Sequence, residues 1–164
     1  QRLCDTLSLK LSLHAAAGQG STFSLRLPAA PDQTSARDGT RAFGGLHVLF
    51  IDDEPDIRRG MRLLLEDHDC RVTAGESAAA ALAELPADAR PVDIVLSDYR
   101  LRDETDGIEA IARVRAALDP ELPAMLITGD TDPAIGERAV AADLSLLHKP
   151  VAPDSLLKAI ANRV

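Results

Sequence analysis

From residue 46 to the C-terminus, strand-sized apolar runs alternate with helical patterns, and this alternation constrains the fold more than any other feature. Residues 46–51 and 92–97 are nearly continuous apolar runs, and 124–127 and 144–147 repeat the pattern. Strands buried on both faces of a parallel sheet look like this. Residues 70–74 form a weaker fifth candidate. Between the runs, Ile57, Met61, Leu64 and Leu65 fall at i, i+4, i+7 and i+8, and Ile108, Ile111, Ala112 and Leu118 predict a second helical stripe. Residues 77–85 are alanine-rich and favour helix. Asp132 followed by Pro133 predicts an N-cap with proline in the first helical position. Leu156, Leu157 and Ile160 predict a closing helix. Five strands alternating with five helices in 119 residues imply a doubly wound α/β sheet.

The remaining sequence is of a different kind. Residues 1–28 hold a short helical stub over 2–7 and two runs, 9–13 and 22–27, that alternate apolar and polar as half-buried strands do. Gly18-Gln19-Gly20-Ser21 reads as the turn between them. Some 28 residues bury no core of their own, so the segment reads either as a remnant of a larger domain or as a piece that packs on its neighbour. Residues 29–45, rich in Pro, Gly, Ser, Thr and Asp, read as a linker. The chain begins with Gln, which predicts a fragment of a longer protein.

Charge narrows the choice of partner. From Leu46 onward 23 acidic residues face 13 basic ones, a net −10, whereas the first 45 residues carry 3 and 5. A domain so acidic repels phosphate backbones, which argues against nucleic acid. Cys4 and Cys70 stand in no metal or redox spacing and read as inert thiols. The longest apolar runs are strand-sized, and no leader is evident, so a cytoplasmic piece without membrane contact is expected.

In a doubly wound sheet, chemistry gathers at the carboxyl ends of the strands. Asp52 and Asp53 follow the first strand, and Asp98 ends the third. The fourth strand runs into Thr128, and the fifth into Lys149 and Pro150. A lone Asp after a strand is more often a turn or capping residue. Here, however, four of five strands end in polar groups that one chemistry needs. Three clustered carboxylates repel unless a cation neutralises them, and hard oxygen ligands suit Mg²⁺. A carboxylate beside Mg²⁺ can attack a phosphoryl group whose oxygens a lysine and a threonine hold.

The stretches FIDDEPDIR (50–58), VLSDYRL (95–101), LITGD (126–130) and LLHKP (146–150) resemble the response-regulator receiver family. That resemblance implies a flavodoxin-like, five-stranded parallel sheet of order 2-1-3-4-5 with five helices over residues 46–164. It also implies that Asp98 accepts a phosphoryl group from a phosphohistidine partner. Asp53, Asp98 and the backbone carbonyl of Arg100 would ligate Mg²⁺, with Asp52 acting through a metal-bound water. Thr128 would bond a phosphoryl oxygen, and Lys149 would pair with Asp98 and then with the phosphate. A cis bond before Pro150 is expected. No separate cofactor site is implied, and His148, next to Lys149, is expected to point away.

Three departures from the family pattern stand out. The loop after Asp98 is one residue longer than usual and lacks the usual proline, so a displaced start of the third helix is expected. Leu146, three before Lys149, stands where the family carries Tyr or Phe. Arg100 and Asp130 occupy two variable positions flanking the phosphate and are expected to pair across it.

GQGSTFSLRLP (18–28) resembles the closing hairpin of histidine-kinase ATPase domains, which implies the C-terminal part of a hybrid sensor kinase. His14, His47 and His68 lack the combination of a following acidic residue and a proline five positions on that marks a kinase phospho-donor, since His68 has Asp69 but Thr73. Two rival readings remain at this level. A haloacid-dehalogenase-type phosphatase needs Asp-x-Asp after the first strand, where this chain has adjacent aspartates and Glu54. A pseudo-receiver would act by shape alone, which the intact Asp53, Asp98, Thr128 and Lys149 argue against.

Overall fold

The computed structural model describes residues 10–16, 20–26, 43–86, 91–102 and 106–164, with side chains from Phe43 onward. The helical stub expected at 2–7 lies outside the described residues. The chain divides into two units, Gln1–Asp38 and Gly39–Val164. In the first, β1 (Lys10–Ala16) pairs antiparallel with β2 (Gly20–Arg26), in register from Lys10 opposite Arg26 to Ala16 opposite Gly20. The alternating pattern thus forms a hairpin, with both strands reaching closer to the turn than the apolar alternation alone predicts.

The second unit carries five parallel strands and five helices in strict alternation. They are β3 (His47–Ile51), α1 (Pro55–Glu66), β4 (Arg71–Gly75), α2 (Ala78–Ala83), β5 (Ile94–Asp98), α3 (Gly107–Ala117), β6 (Ala124–Thr128), α4 (Pro133–Ala141), β7 (Ser145–His148) and α5 (Pro153–Ala161). The sheet order is β4-β3-β5-β6-β7, which is 2-1-3-4-5 counted within the unit. Each of the five expected runs became a strand.

Successive residues of a strand face opposite sides of the sheet, so each central strand feeds two cores. Leu49, Ile51, Val95, Ala124 and Leu126 pack with Ala78 and Ala81 of α2, Ala110, Ile111 and Val114 of α3, and Ile135 and Ala139 of α4. Val48, Phe50, Ile94, Leu96, Met125 and Ile127 pack with Leu65 of α1 and with Leu156, Leu157 and Ile160 of α5. β3, β5 and β6 are buried along their whole length. At about 1.5–3 kcal/mol for each large side chain removed from water, these strands supply a large part of the driving force. Phe43 joins the second core, so the packed unit reaches back into the stretch read as a linker. One phenylalanine among polar residues carries no periodicity to reveal this.

Side-chain caps start three helices. Ser77 accepts from the Ala80 N–H, Asp106 from the Glu109 N–H, and Asp132 from the Ala134 N–H, with Pro133 next as expected. The stripe expected on α3 is corrected by the structure. Gly107, Ala110, Ile111 and Val114 face the core, whereas Ala112 is exposed and Leu118 is 44% exposed. Alanine fits either face, and the helix is phased at its start. A Cβ on Gly107 would stand 2.1 Å from the Asp98 carbonyl oxygen, so only glycine lets α3 approach the end of β5. That contact and the Asp106 cap rotate Ile108 to the flank.

Candidate functional site

The carboxyl edge of the sheet gathers the polar residues. Asp52 follows β3, Asp98 ends β5, Thr128 ends β6, and Lys149 follows β7. The Lys149 N–H donates to the Thr128 carbonyl at 2.7 Å, extending the β6–β7 ladder and fixing where its side chain starts. The peptide between Lys149 and Pro150 is cis, as expected. The ammonium then stands 2.8 Å from Asp98 Oδ1 and 3.7 Å from Asp52 Oδ2. An open cavity of about 490 Å³ is lined by Asp53, Asp98, Arg100, Lys149, Asp130 and Glu54, with Gly129 and Thr131. Asp52 and Thr128 are buried, at 1% exposure each, and sit outside this lining. The Thr128 hydroxyl accepts the Asp130 N–H at 3.0 Å. His148 is exposed, as expected of the strand residue before Lys149.

Burial is the largest influence on Asp52. It pushes the carboxyl above its ordinary pKa against the lowering effects of the Glu54 N–H and Lys149, while Asp98 and Asp53 push it further up. Burial also pulls on Lys149, downward, but its hydrogen bond to Asp98 and the charges of Asp98, Asp52 and Glu54 prevail, so its pKa is raised. Arg100 donates to Asp130 at 2.7 Å, the pair anticipated across the site. That hydrogen bond holds the guanidinium above and the carboxyl below their usual ranges.

The donor set can be tested against Mg²⁺. Asp52 Oδ2 is buried without a hydrogen bond, whereas Oδ1 accepts the Glu54 N–H at 2.9 Å. A buried carboxylate oxygen in that state calls for a cation or a water held by one. Among the described residues, no three carboxylate, histidine or cysteine side chains enclose an ion by themselves. An open site completed by a backbone carbonyl and waters is the manner in which Mg²⁺ is usually held. The residues present fit the ion.

Several participants were not foreseen from the sequence. Arg102 Nε lies 3.2 Å from Asp53 Oδ2. Arg138 of α4 donates to Tyr99 Oη at 3.1 Å and to Asp106 Oδ2 at 2.5 Å, tying α4 to the residue after Asp98 and to the cap of α3. Glu54 lines the cavity, and its place beside Asp52-Asp53 was the one available signal.

Solved structures share this architecture. The chemotaxis protein CheY4 of Vibrio cholerae matches with a TM-score of 0.64 at 26% identity, covering 73% of this chain and 99% of that one. A response regulator receiver protein from Sinorhizobium medicae WSM419 matches at 0.61 and 28% identity, covering 72% and 93%. The fold is thus the CheY-like, flavodoxin-type sheet with its polar residues at the carboxyl edge. The response regulator receiver domain matches residues 48–161, and the chain belongs to that family of phospho-acceptor modules of two-component signalling. Members typically bind Mg²⁺ and take their phosphoryl groups from histidine kinases.

Among curated relatives, the C4-dicarboxylate transport transcriptional regulatory protein DctD of Rhizobium meliloti (strain 1021) is 38% identical over 112 residues, covering 68% of this chain and 24% of that protein. The sensor histidine kinase AruS of Pseudomonas aeruginosa is 30% identical over 165 residues, covering 98% of this chain and 16% of that protein. The chain therefore spans about a quarter of the length of DctD, and less of AruS. Among the described residues, no helix is long and apolar enough to cross a membrane.

Proposed function

We propose that Asp98 is the phospho-acceptor, serving a phosphotransfer switch within a hybrid sensor kinase. The observation that carries the reading is the 2.8 Å contact between Lys149 and Asp98 at the floor of an open, carboxylate-lined cavity. Asp53, Asp98 and the Arg100 carbonyl would hold Mg²⁺, with Asp52 bonded to one of its waters. The ion supplies charge neutralisation for the incoming phosphoryl oxygens.

The protein's own residues do the rest. A carboxylate oxygen of Asp98 attacks the phosphorus of a phosphohistidine; the O–P bond forms as the N–P bond breaks, and the donor imidazole leaves with the electron pair. Lys149 stays charged because its acidic neighbours raise its pKa, and it transfers its hydrogen bond from Asp98 to a phosphoryl oxygen. Thr128 gives up the Asp130 N–H to donate its own hydroxyl proton. Hydrolysis then returns the carboxylate and releases phosphate.

In this reading residues 1–28 are the C-terminal remnant of a histidine-kinase ATPase domain, 29–45 a linker and 46–164 the receiver. The likeness to AruS supports it, since it runs through the N-terminal unit as well as the receiver. The test is uptake of beryllofluoride, a phosphoryl mimic. Uptake should need Mg²⁺ and vanish in Asp98→Ala. Uptake that survives this substitution, or ignores Mg²⁺, would overturn the assignment.

A further inference from the structure

Two arginines of the loop after Asp98 are drawn to opposite sides of the site. Arg100 turns toward Asp130 at 2.7 Å, and Arg102, two residues on, sets its Nε 3.2 Å from Asp53 Oδ2. We propose that Arg102 is a built-in competitor for the divalent cation, holding Asp53 when the ion is absent and yielding it when the ion binds. The inference rests on the Mg²⁺ reading above, because Asp53 is one of the carboxylates assigned to the ion.

The geometry favours an exchange over a fixed pair. Asp53 is 20% exposed even with the guanidinium beside it, and it lines the open cavity, so its carboxylate stays accessible to an approaching ion. Arg102 is 74% exposed, so it can swing into solvent. Among the described residues, the other cations near the site are committed elsewhere: Lys149 to Asp98, with Asp52 at longer range, Arg100 to Asp130, and Arg58 to the Asp52 carbonyl. Arg102 is therefore the group that offsets the Asp53 charge in this state. A guanidinium and a divalent ion on one carboxylate oxygen repel each other, so occupancy by either excludes the other. An exposed ion pair changes an equilibrium by no more than about fivefold. Arg102 thus sets the Mg²⁺ concentration at which the site fills without preventing filling.

Calorimetric titration of the whole chain with Mg²⁺ alone tests this, comparing wild type with Arg102→Ala, Arg100→Ala and Asp53→Ala. Arg102→Ala should bind Mg²⁺ roughly two- to fivefold more tightly than wild type. Arg100→Ala removes the same charge from the same loop and should gain less, which separates a specific competitor from a general change in field. Side-chain ¹H–¹⁵N spectra should show the Arg102 Nε–H signal shifting as Mg²⁺ displaces the guanidinium from Asp53. Equal affinity in Arg102→Ala and wild type, equal gains in both arginine variants, or an Arg102 signal that does not move would each overturn the inference. Binding that Asp53→Ala abolishes but Arg102→Ala leaves unchanged would overturn this inference and keep the Mg²⁺ reading. Failure of wild type and Arg102→Ala alike to bind Mg²⁺ would overturn both.

Discussion

Lys149 Nζ stands 2.8 Å from Asp98 Oδ1, joining the residue after β7 to the last residue of β5 across the end of the intervening strand β6. The lysine is 35% exposed on its side chain, so the contact is partly shielded from water and stronger than a surface pair. Removing it takes away one charge-assisted bond to the bound phosphoryl mimic, worth about 1.5–3 kcal/mol. Lys149→Met should weaken beryllofluoride binding by roughly tenfold to a hundredfold in a calorimetric titration. Unchanged affinity would remove Lys149 from the proposed mechanism.

Arg100 and Asp130 form a second bridge, across the cavity mouth at 2.7 Å, and both side chains line the cavity. If the pair restricts the path of the attacking water, either truncation should speed phosphoryl decay. An exposed pair limits the gain to about fivefold. Because the two act as one unit, the double variant should decay no faster than either single one. Decay at the wild-type rate in both Arg100→Ala and Asp130→Ala would refute the idea.

These two bridges differ in how far the sequence revealed them. Asp52, Asp53, Asp98, Thr128 and Lys149 were legible because strand ends are legible: an apolar run stops, and the next polar residue lies at the sheet edge. The Arg100–Asp130 pair could be expected only from the family resemblance, which places both at variable positions flanking the phosphate. The reach of Arg102 to Asp53 could not, because a long side chain on an irregular loop follows no period. Nor could the hold of Arg138 on Tyr99 and Asp106, which depends on where α4 packs. The phase of α3 departs from the expected stripe for a related reason. Its alanines suit either face, and a backbone contact at Gly107 decides the rotation.

Asp52 makes a prediction about stability and pH. Its folded pKa is raised, chiefly by burial, with Asp98 and Asp53 adding to it and Lys149 and the Glu54 N–H opposing. The folded state therefore binds this proton more tightly than the unfolded chain. Its contribution to stability falls as pH rises from the ordinary carboxylate range through the raised value. Asp52→Asn should raise the metal-free melting temperature at neutral pH by a few degrees, the shift that about 1 kcal/mol produces in a domain of this size. Added Mg²⁺ should stabilise wild type more than the variant. A variant that melts lower at neutral pH without Mg²⁺ would contradict this account.

Gly107 links stability to the site. A methyl group there would meet the Asp98 carbonyl oxygen at 2.1 Å and Leu126 Cδ1 at 2.7 Å. The leucine can shift, but the carbonyl belongs to the strand that carries the acceptor. Gly107→Ala should cost about 1–3 kcal/mol in urea unfolding, and it should weaken beryllofluoride binding as Asp98 moves. Glycine at 136 is the control, since no atom lies within 4 Å of a Cβ built there. Gly136→Ala should stabilise, as helix propensity favours alanine, and an equal gain at Gly107 would show that propensity, and not the close approach, governs it.

Leu146 bears on how the state of Asp98 leaves the site. It lies in β7 opposite Leu126 of β6, half-buried against the core that includes Ile135 and Ala139 of α4. A leucine so placed is already packed, and it has no polar tip to exchange between solvent and interior as a tyrosine would. When Thr128 turns from the Asp130 N–H to a phosphoryl oxygen, no aromatic ring follows it inward. Beryllofluoride should therefore shift the backbone resonances of α4 and β7 only slightly in the wild-type chain. Leu146→Tyr should enlarge those shifts while leaving Mg²⁺ affinity unchanged. Large shifts in the wild-type α4 would mean that another connection carries the signal, and Arg138, which holds both Tyr99 and Asp106, would be the first to substitute.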